Sequence, residues 1–210
     1  MDLSNPSTSI LGGVSGAVLT VLARTTIPLT GPTIASISPT QVSRAGVNRV
    51  MAELVESGLV HAVQAGKAKL YSLNRVHVAA RAIEDLTSLR ETLFQRIREH
   101  VTGWSTGPIS VVLFGSTARG DSSATSDVDL FVVRKTDLDV EDPVWSSNLA
   151  SLAERVQAWS GNNCELIEYS EDEVKELVQA GEPLFDSIRA EGISLYGQSV
   201  TALLGRGKAT

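Results

Sequence analysis

The chain has 210 residues, of which 42% are hydrophobic, so it can bury the cores of one or two domains and is not intrinsically disordered. A single cysteine, Cys164, excludes a disulfide framework and a four-cysteine zinc site. No apolar run approaches the roughly 20 residues of a membrane helix. The N-terminus lacks the basic and apolar regions of a signal peptide. We therefore expect a cytoplasmic protein with no membrane association.

The net charge of −6 is an average over two unlike halves. Residues 1–100 carry 10 Lys and Arg against 7 Asp and Glu, a net charge of +3. Residues 101–210 carry 8 against 17, a net charge of −9. Such asymmetry predicts two units with different partners.

The first half of the chain is predicted to form a small unit of helices and strands. Residues 1–9 are predicted to be irregular. Apolar spacing then predicts three helices and a hairpin of two strands. The third helix has Thr40 as its expected N-cap and Gly58 at its C-terminal end. The predicted helices are Val14–Arg24, Thr33–Ile37 and Gln41–Ser57, and the strands are Leu59–Val63 and Lys69–Leu73. This order resembles a winged helix-turn-helix over residues 10–74.

The third helix and the hairpin supply the residues expected to bind DNA. Arg44 and Asn48 are four residues apart and can both make bidentate contacts with bases. Residues 1–74 carry only 5 basic against 3 acidic residues, so a monomer would make few phosphate contacts. A homodimer would double the contacts and bind two half-sites; the alternative is a protein-binding module. The full set of candidate DNA-binding residues is Gln41, Ser43, Arg44, Asn48, Arg49, Lys67 and Lys69.

The rest of the chain is predicted to be a connecting helix followed by an α/β domain. Residues 75–104 contain the connecting segment, with one helix over Arg75–Val101. Residues 105–197 alternate strands and helices, and residues 198–210 are expected to form a loose tail. The predicted strands are Ile109–Phe114, Val128–Val133 and Glu165–Tyr169, and the predicted helices are Leu149–Trp159, Glu171–Ala180 and Pro183–Glu191.

The segment Leu113–Val133 carries the residues that predict chemistry. Gly115 and Ser116 follow a buried strand at once, where a glycine lets the backbone approach a phosphate closely. Arg119 adds a cationic fork for phosphate. Asp127 and Asp129 lie two residues apart at the start of the next strand and therefore share one face. Adjacent carboxylates repel each other unless a cation neutralises them, so the pattern indicates a site for a metal–nucleotide complex.

These residues resemble the DNA polymerase beta-like nucleotidyltransferase superfamily, in its small, minimal nucleotidyltransferase branch. The chain has Gly115-Ser116, then Ala118-Arg119-Gly120, then Ser126-Asp127-Val128-Asp129-Leu130 before an apolar strand. The resemblance covers about residues 105–196, including the closing Glu191-Gly192-Ile193. It implies an α/β (α+β) fold with a small mixed sheet flanked by helices, here joined to the N-terminal winged helix.

The resemblance also implies roles for individual residues. Asp127 and Asp129 would hold two Mg²⁺ ions that bridge the triphosphate of ATP or another NTP. Gly115, Ser116 and Arg119 would bind the β- and γ-phosphates. The family has a third carboxylate on a later strand, more often Asp, and Glu165 matches it by position, while Glu168 faces the opposite side. Glu165 would help to activate the attacking hydroxyl, by removing its proton or by binding metal. Asp121 is expected to be a solvated turn residue.

The implied activity is the Mg²⁺-dependent transfer of AMP to a hydroxyl of a protein partner. That partner would be a HEPN-type toxin, and the winged helix would autoregulate the operon by binding DNA. One alternative is a toxin that adds nucleotides to tRNA, which the acidic second half disfavours. Others are a regulator that binds nucleotide only as a signal, and an antitoxin that neutralises its partner by contact.

Overall fold

The computed structural model describes residues 1–205, and its contacts divide the chain into two compact units. One unit contains residues 5–90. The other contains residues 1–4 together with the chain from Glu91 onward. In these described residues the two units contain eleven helices and two small sheets, which confirms the predicted mixed α/β class. No helix in this part of the chain is both long enough and apolar enough to cross a membrane.

The unit of residues 5–90 consists of helices around a small antiparallel sheet. Its strands are hydrogen-bonded in the order β1-β3-β2, and a core containing Val18, Leu22, Ile34, Val47 and Met51 joins the helices to this sheet. In chain order the elements are α1 (Pro6–Leu11), α2 (Gly13–Arg24), β1 (Leu29–Thr30), α3 (Gly31–Ile37), α4 (Arg44–Glu56), β2 (Val60–Ala65), β3 (Ala68–Leu73) and α5 (Ala80–Thr87).

The structure corrects the predicted start of the chain. Residues 1–9 are not wholly irregular, because Pro6 occupies the first position of α1, where its missing N–H costs nothing. Leu3 is 1% exposed and lies in the core of the other unit. Strand β1 was missed because it has only two residues, too few for a periodic pattern.

The third predicted helix also begins later than expected. Helix α4 starts at Arg44, because the Ser43 hydroxyl accepts the N–H of Gly46 at 3.0 Å and caps it, in place of Thr40. Gln41 and Ser43 therefore precede this helix instead of lying on it.

The single connecting helix predicted over Arg75–Val101 is divided in two. Residues 75–79 are not helical, α5 ends at Thr87, and α6 runs over Leu89–Thr102. The hydroxyls of Thr87 and Ser88 both donate to the carbonyl of Glu84 at 2.9 and 3.0 Å. Such local side-chain bonds compete with the helical ladder, and the apolar periodicity on either side did not reveal the break.

The second unit is a four-stranded mixed sheet flanked by helices. The strands lie in the order β6-β5-β4-β7, with β5 and β6 parallel and the other pairs antiparallel. Its remaining elements are β4 (Ser110–Phe114), α7 (Gly115–Arg119), β5 (Val128–Arg134), α8 (Pro143–Ser160), β6 (Cys164–Ser170), α9 (Glu171–Ala180), α10 (Pro183–Glu191), β7 (Ile193–Gly197) and α11 (Val200–Leu204).

The two faces of this sheet are covered by different helices. Val128, Leu130 and Val132 of β5 pack in one core with α6 and α8. Phe131 and Val133 lie in the other core, with side chains of α9 and α10. Because side chains alternate along a strand, Asp129 belongs to the face covered by α9 and α10.

The predicted loose tail contains ordered structure. Helix α11 buries Val200 and Leu204 against α10, and strand β7, which was not predicted, completes the sheet beside β4. Residues 206–210, the rest of the predicted tail, lie outside the described residues.

Candidate active site

The turn after β4 is built so that only glycine fits at its first position. Gly115 has φ +69°, and a Cβ atom there would lie 2.1 Å from Oδ2 of Asp129. A side chain at this position would therefore collide with a carboxylate. Strand pairing explains the contact, since Phe114 of β4 is the register partner of Asp129 in β5. The turn and the second predicted carboxylate thus lie in direct contact.

The carboxylate of Glu165 lies on the strand next to Asp129. β5 and β6 are parallel, and Asp129 is paired with Glu165 in their register. Asp127 immediately precedes β5, and Thr117 of α7 donates its hydroxyl to the Asp127 carbonyl at 3.3 Å. The loop before it is also anchored at Ser126, whose carbonyl accepts the Asn162 amide at 2.8 Å. Asp127 and Asp129 are partly buried, and Glu165 is exposed.

The electrostatics of this cluster show mutual repulsion. Burial raises the pKa of Asp129 above its usual value, and the charges of Glu165 and Asp127 raise it further. Burial and the same carboxylates also raise the pKa of the Cys164 thiol to about 12, so Cys164 stays a protonated thiol. The surroundings of the partly buried Asp129 therefore disfavour its ionised form, which a bound cation would stabilise.

The structure separates the two glutamates of β6. Glu168 accepts the Trp145 indole N–H at 2.9 Å and forms an ion pair with Arg134 at 2.7 Å. It therefore lies on the face covered by α8, opposite to Asp129. Glu165 is on the face of Asp129 and next to it in register. Glu168 is engaged in holding α8 to the sheet, and Glu165 is the one beside the aspartates.

Arg119 is engaged by a residue to which sequence analysis gave no role. Its Nη1 lies 2.9 Å from both carboxylate oxygens of Glu191, and its Nε donates to Asp121 at 3.1 Å. Glu191 also accepts the N–H of Gly115 at 3.0 Å. Asp121, expected to be a solvated turn residue, is exposed but paired. The closing Glu191-Gly192-Ile193 motif was the signal that could have identified this position.

The acidic cluster offers oxygen ligands of the kind that Mg²⁺ prefers. Within residues 1–205, however, no three His, Cys, Asp or Glu side chains are already arranged around a common metal position. The exposed Glu165 has the longest side chain of the three acids. The donor chemistry therefore fits a divalent cation at Asp127 and Asp129, and Glu165 would have to turn toward it.

The candidate DNA-binding residues lie in the other unit and are all exposed. Arg44, Asn48 and Arg49 are on α4, and the two lysines lie in or beside the turn between β2 and β3. Ser43 serves as the N-cap of α4, and Asn48 lies close to Gly31 at the start of α3. The exposed candidates are Gln41, Ser43, Arg44, Asn48, Arg49, Lys67 and Lys69.

Comparison with known families shows what part of the second unit is similar to. Residues 91–179 match the family model described as the nucleotidyltransferase domain. This part of the chain is therefore similar to nucleotidyltransferase domains. The match begins at Glu91, where the second compact unit begins, and includes the turn at Gly115 and the three carboxylates. Glu191 lies beyond the matched residues. The mixed sheet of this domain is consistent with a polymerase beta-like fold.

Solved structures and curated proteins add little to this assignment. One similar structure is a toxin–antitoxin crystallised with AMP-PNP, at 17% identity and a TM-score of 0.38. Another is a mutant of the toxin–antitoxin MntA-HpeT, at 14% identity and a TM-score of 0.37. Each match covers 53% of this chain and 80% of the other. No curated protein matches the chain.

Proposed function

We propose that the nucleotidyltransferase domain transfers AMP from ATP to a hydroxyl group of a protein partner, with Mg²⁺. The contact between the Asp129 carboxylate and the Gly115 turn carries the proposal, because the residue proposed to bind the metal lies against the turn proposed to bind phosphate. The raised pKa of Asp129 supports a cation at this position, since the neighbouring negative charges would otherwise destabilise its ionised form.

In the proposed reaction, the acceptor oxygen attacks the α-phosphorus of ATP. A new P–O bond forms, the bond between the α-phosphorus and the bridging oxygen to the β-phosphate breaks, and pyrophosphate leaves. Asp127, Asp129 and Glu165 would hold two Mg²⁺ ions, which supply neutralisation of the phosphate charge. Gly115 and Ser116 would orient the β- and γ-phosphates.

The third carboxylate would act on the acceptor. Glu165 is exposed and lies beside Asp129, so its side chain can reach an incoming hydroxyl and accept the proton that it loses. Because Glu165 replaces the more usual Asp, its longer arm must fold toward the aspartates to act there. Positioning and charge neutralisation supply most of the catalysis in reactions of this type.

A protein acceptor fits the charge of this half of the chain better than RNA. Residues 101–210 carry a net charge of −9, whereas binding of a long polyanion needs a basic surface. The resemblance of the Gly115–Leu130 motif to minimal nucleotidyltransferases favours a HEPN-type toxin as that acceptor. The protein would then be the antitoxin of the pair.

The test incubates the purified protein with α-labelled ATP, Mg²⁺ and cell extract, and separates labelled protein from labelled RNA. Label on protein that is lost in Asp127→Asn and Asp129→Asn supports the proposal. Asp186→Asn is the control, because it removes one carboxylate charge from an exposed position in the same unit. Label on RNA would make the chain a tRNA-modifying toxin, and equal labelling by all variants would reject the site.

We further propose that residues 10–74 form a winged helix that binds DNA and autoregulates expression. The order of helices and strands and the three-stranded antiparallel sheet of this unit support it. So does the exposure of Arg44, Asn48 and Arg49 on α4, the helix that would enter the major groove. Binding to the DNA upstream of the gene, measured with and without substitutions on α4, tests this role.

A further inference from the structure

The side chain of Glu191 takes up the hydrogen-bond donors of the proposed phosphate site. It is the last residue of α10, and its side chain is 14% exposed. One carboxylate oxygen accepts the backbone N–H of Gly115 at 3.0 Å. Both oxygens also lie 2.9 Å from Nη1 of Arg119. A carboxylate of the chain itself thus binds both a backbone amide and a guanidinium at this turn.

The N–H of Gly115 cannot serve Glu191 and a phosphate at once, and Arg119 has fewer donors left for a phosphate while it is paired with Glu191. A backbone amide has one hydrogen, so the N–H of Gly115 makes one strong bond at a time. Arg119 is further restricted, because its Nε is bonded to Asp121 at 3.1 Å. A phosphate placed on these donors would also meet the negative charge of Glu191 at close range, which is unfavourable.

We propose that Glu191 is an internal competitor of the nucleotide: its carboxylate occupies the phosphate position at Gly115 and Arg119, and ATP binds by displacing it. The inference rests on the proposed function. It makes Glu191 a determinant of nucleotide affinity that lies outside the catalytic carboxylates. Because α10 ends at Glu191, displacement requires only that this side chain rotate or that the last turn of the helix shift.

The variant that tests the inference is Glu191→Gln, which keeps the size of the side chain and one acceptor oxygen but removes its charge and its second acceptor. The probe is AMPCPP with Mg²⁺, because its methylene bridge between the α- and β-phosphorus prevents transfer during the measurement. Calorimetry should give about tenfold tighter binding to Glu191→Gln than to the wild type, as expected when a charged hydrogen-bond competitor is removed. Unchanged or weaker binding would overturn the inference and make Glu191 a support for Arg119.

Two further variants separate the effect of the Glu191 contacts on nucleotide affinity from a general effect of charge. Asp186→Asn removes the same charge from α10 but pairs only with Arg189, so its affinity for AMPCPP should equal that of the wild type. Asp121→Asn frees Nε of Arg119 without releasing Gly115, so any gain should be smaller than that of Glu191→Gln. An equal gain in all three would show a general charge effect and would also overturn the inference.

If Glu191→Gln does not fold, the wild-type protein still decides the question. NMR of the Gly115 amide should show a large shift on saturation with Mg²⁺ and AMPCPP, because the amide exchanges a carboxylate for a phosphate. An unmoved Gly115 signal in the saturated protein would overturn the inference. Failure of the proposed function is a different result: neither the wild type nor Glu191→Gln then binds AMPCPP, and α-labelled ATP gives no transfer.

Discussion

Replacing Gly115 by alanine tests the contact between the Gly115 turn and the carboxylate of Asp129. The backbone at Gly115 has φ +69°, and an alanine in that conformation costs roughly 1–2 kcal/mol. Its Cβ would also lie 2.1 Å from Oδ2 of Asp129. Relief of that overlap requires the carboxylate to move by about 1 Å, which adds about 1–3 kcal/mol of strain. The total expected loss of stability is therefore about 2–5 kcal/mol.

Gly181→Ala is the matched control for this substitution. Gly181 lies in the same unit, has φ +77°, and no atom lies within 4 Å of the position that its Cβ would take. Gly181→Ala should therefore lose only the stability that the unfavourable backbone conformation costs, about 1–2 kcal/mol. Chemical denaturation of the two variants isolates the collision, which should make Gly115→Ala less stable by about 1–3 kcal/mol.

The two glycine variants should also differ in activity. A displacement of about 1 Å in a catalytic group lowers activity by about 100-fold. Nucleotide transfer should therefore fall by about that factor in Gly115→Ala and remain near the wild-type rate in Gly181→Ala. Equal stability of the two variants, together with full activity of Gly115→Ala, would refute the assigned contact between the turn and Asp129.

Three other substitutions test separate parts of the structure. Burial and the neighbouring carboxylates raise the pKa of Asp129, so its ionised form weakens the folded state at neutral pH. Asp129→Asn should therefore raise the melting temperature at pH 7 in the absence of divalent cations. The gain should vanish as the pH falls to about 4, where the carboxyl group of the wild type is protonated. A lower melting temperature of the variant at pH 7 would contradict this. Glu168→Gln should cost about 1–3 kcal/mol of stability, because Glu168 binds both an indole and a guanidinium. Glu165→Gln lies at an exposed position and should change stability by less than about 0.5 kcal/mol. The same variant should nevertheless reduce nucleotide transfer. The reverse pattern in denaturation and transfer assays would exchange the roles of the two glutamates. In the other unit, Arg44→Ala and Asn48→Ala should each weaken binding to the upstream DNA by about 1–3 kcal/mol and relax its sequence preference, and unchanged affinity and preference in a binding assay would remove α4 as the recognition helix.

Periodic patterns predicted the bounds of some helices but not of α8, which begins at Pro143 and not at the predicted Leu149. The bounds of α9 and α10 agree with the predicted helices, because proline at the start of α10 and the Ser170 capping box before α9 are local signals. Strand β1 and helix α11 were missed, since two and five residues give no period. The break at Ser88 depends on hydroxyl groups that bond to the helix backbone, and spacing alone does not show it.

Strand spacing predicted that Asp127 and Asp129 share one face, and the family resemblance indicated Glu165 by its position. The pairing of Asp129 with Glu165 depends on which strands are neighbours in the sheet. The contact of Glu191 with Gly115 and Arg119 was not predictable in this way. It depends on where α10 ends relative to β4, and that position is set by the packing of Phe185 and Ile188 against the sheet.

The most direct test of the central claim compares ATP labelled at the α-phosphate with ATP labelled at the γ-phosphate. Nucleotide transfer at Asp127 and Asp129 predicts that only the α-label enters the acceptor protein, with one pyrophosphate released for each nucleotide bound. Asp127→Asn and Asp129→Asn should abolish both the labelling and the release. Entry of the γ-label, or transfer of the α-label that persists in both variants, would contradict the account.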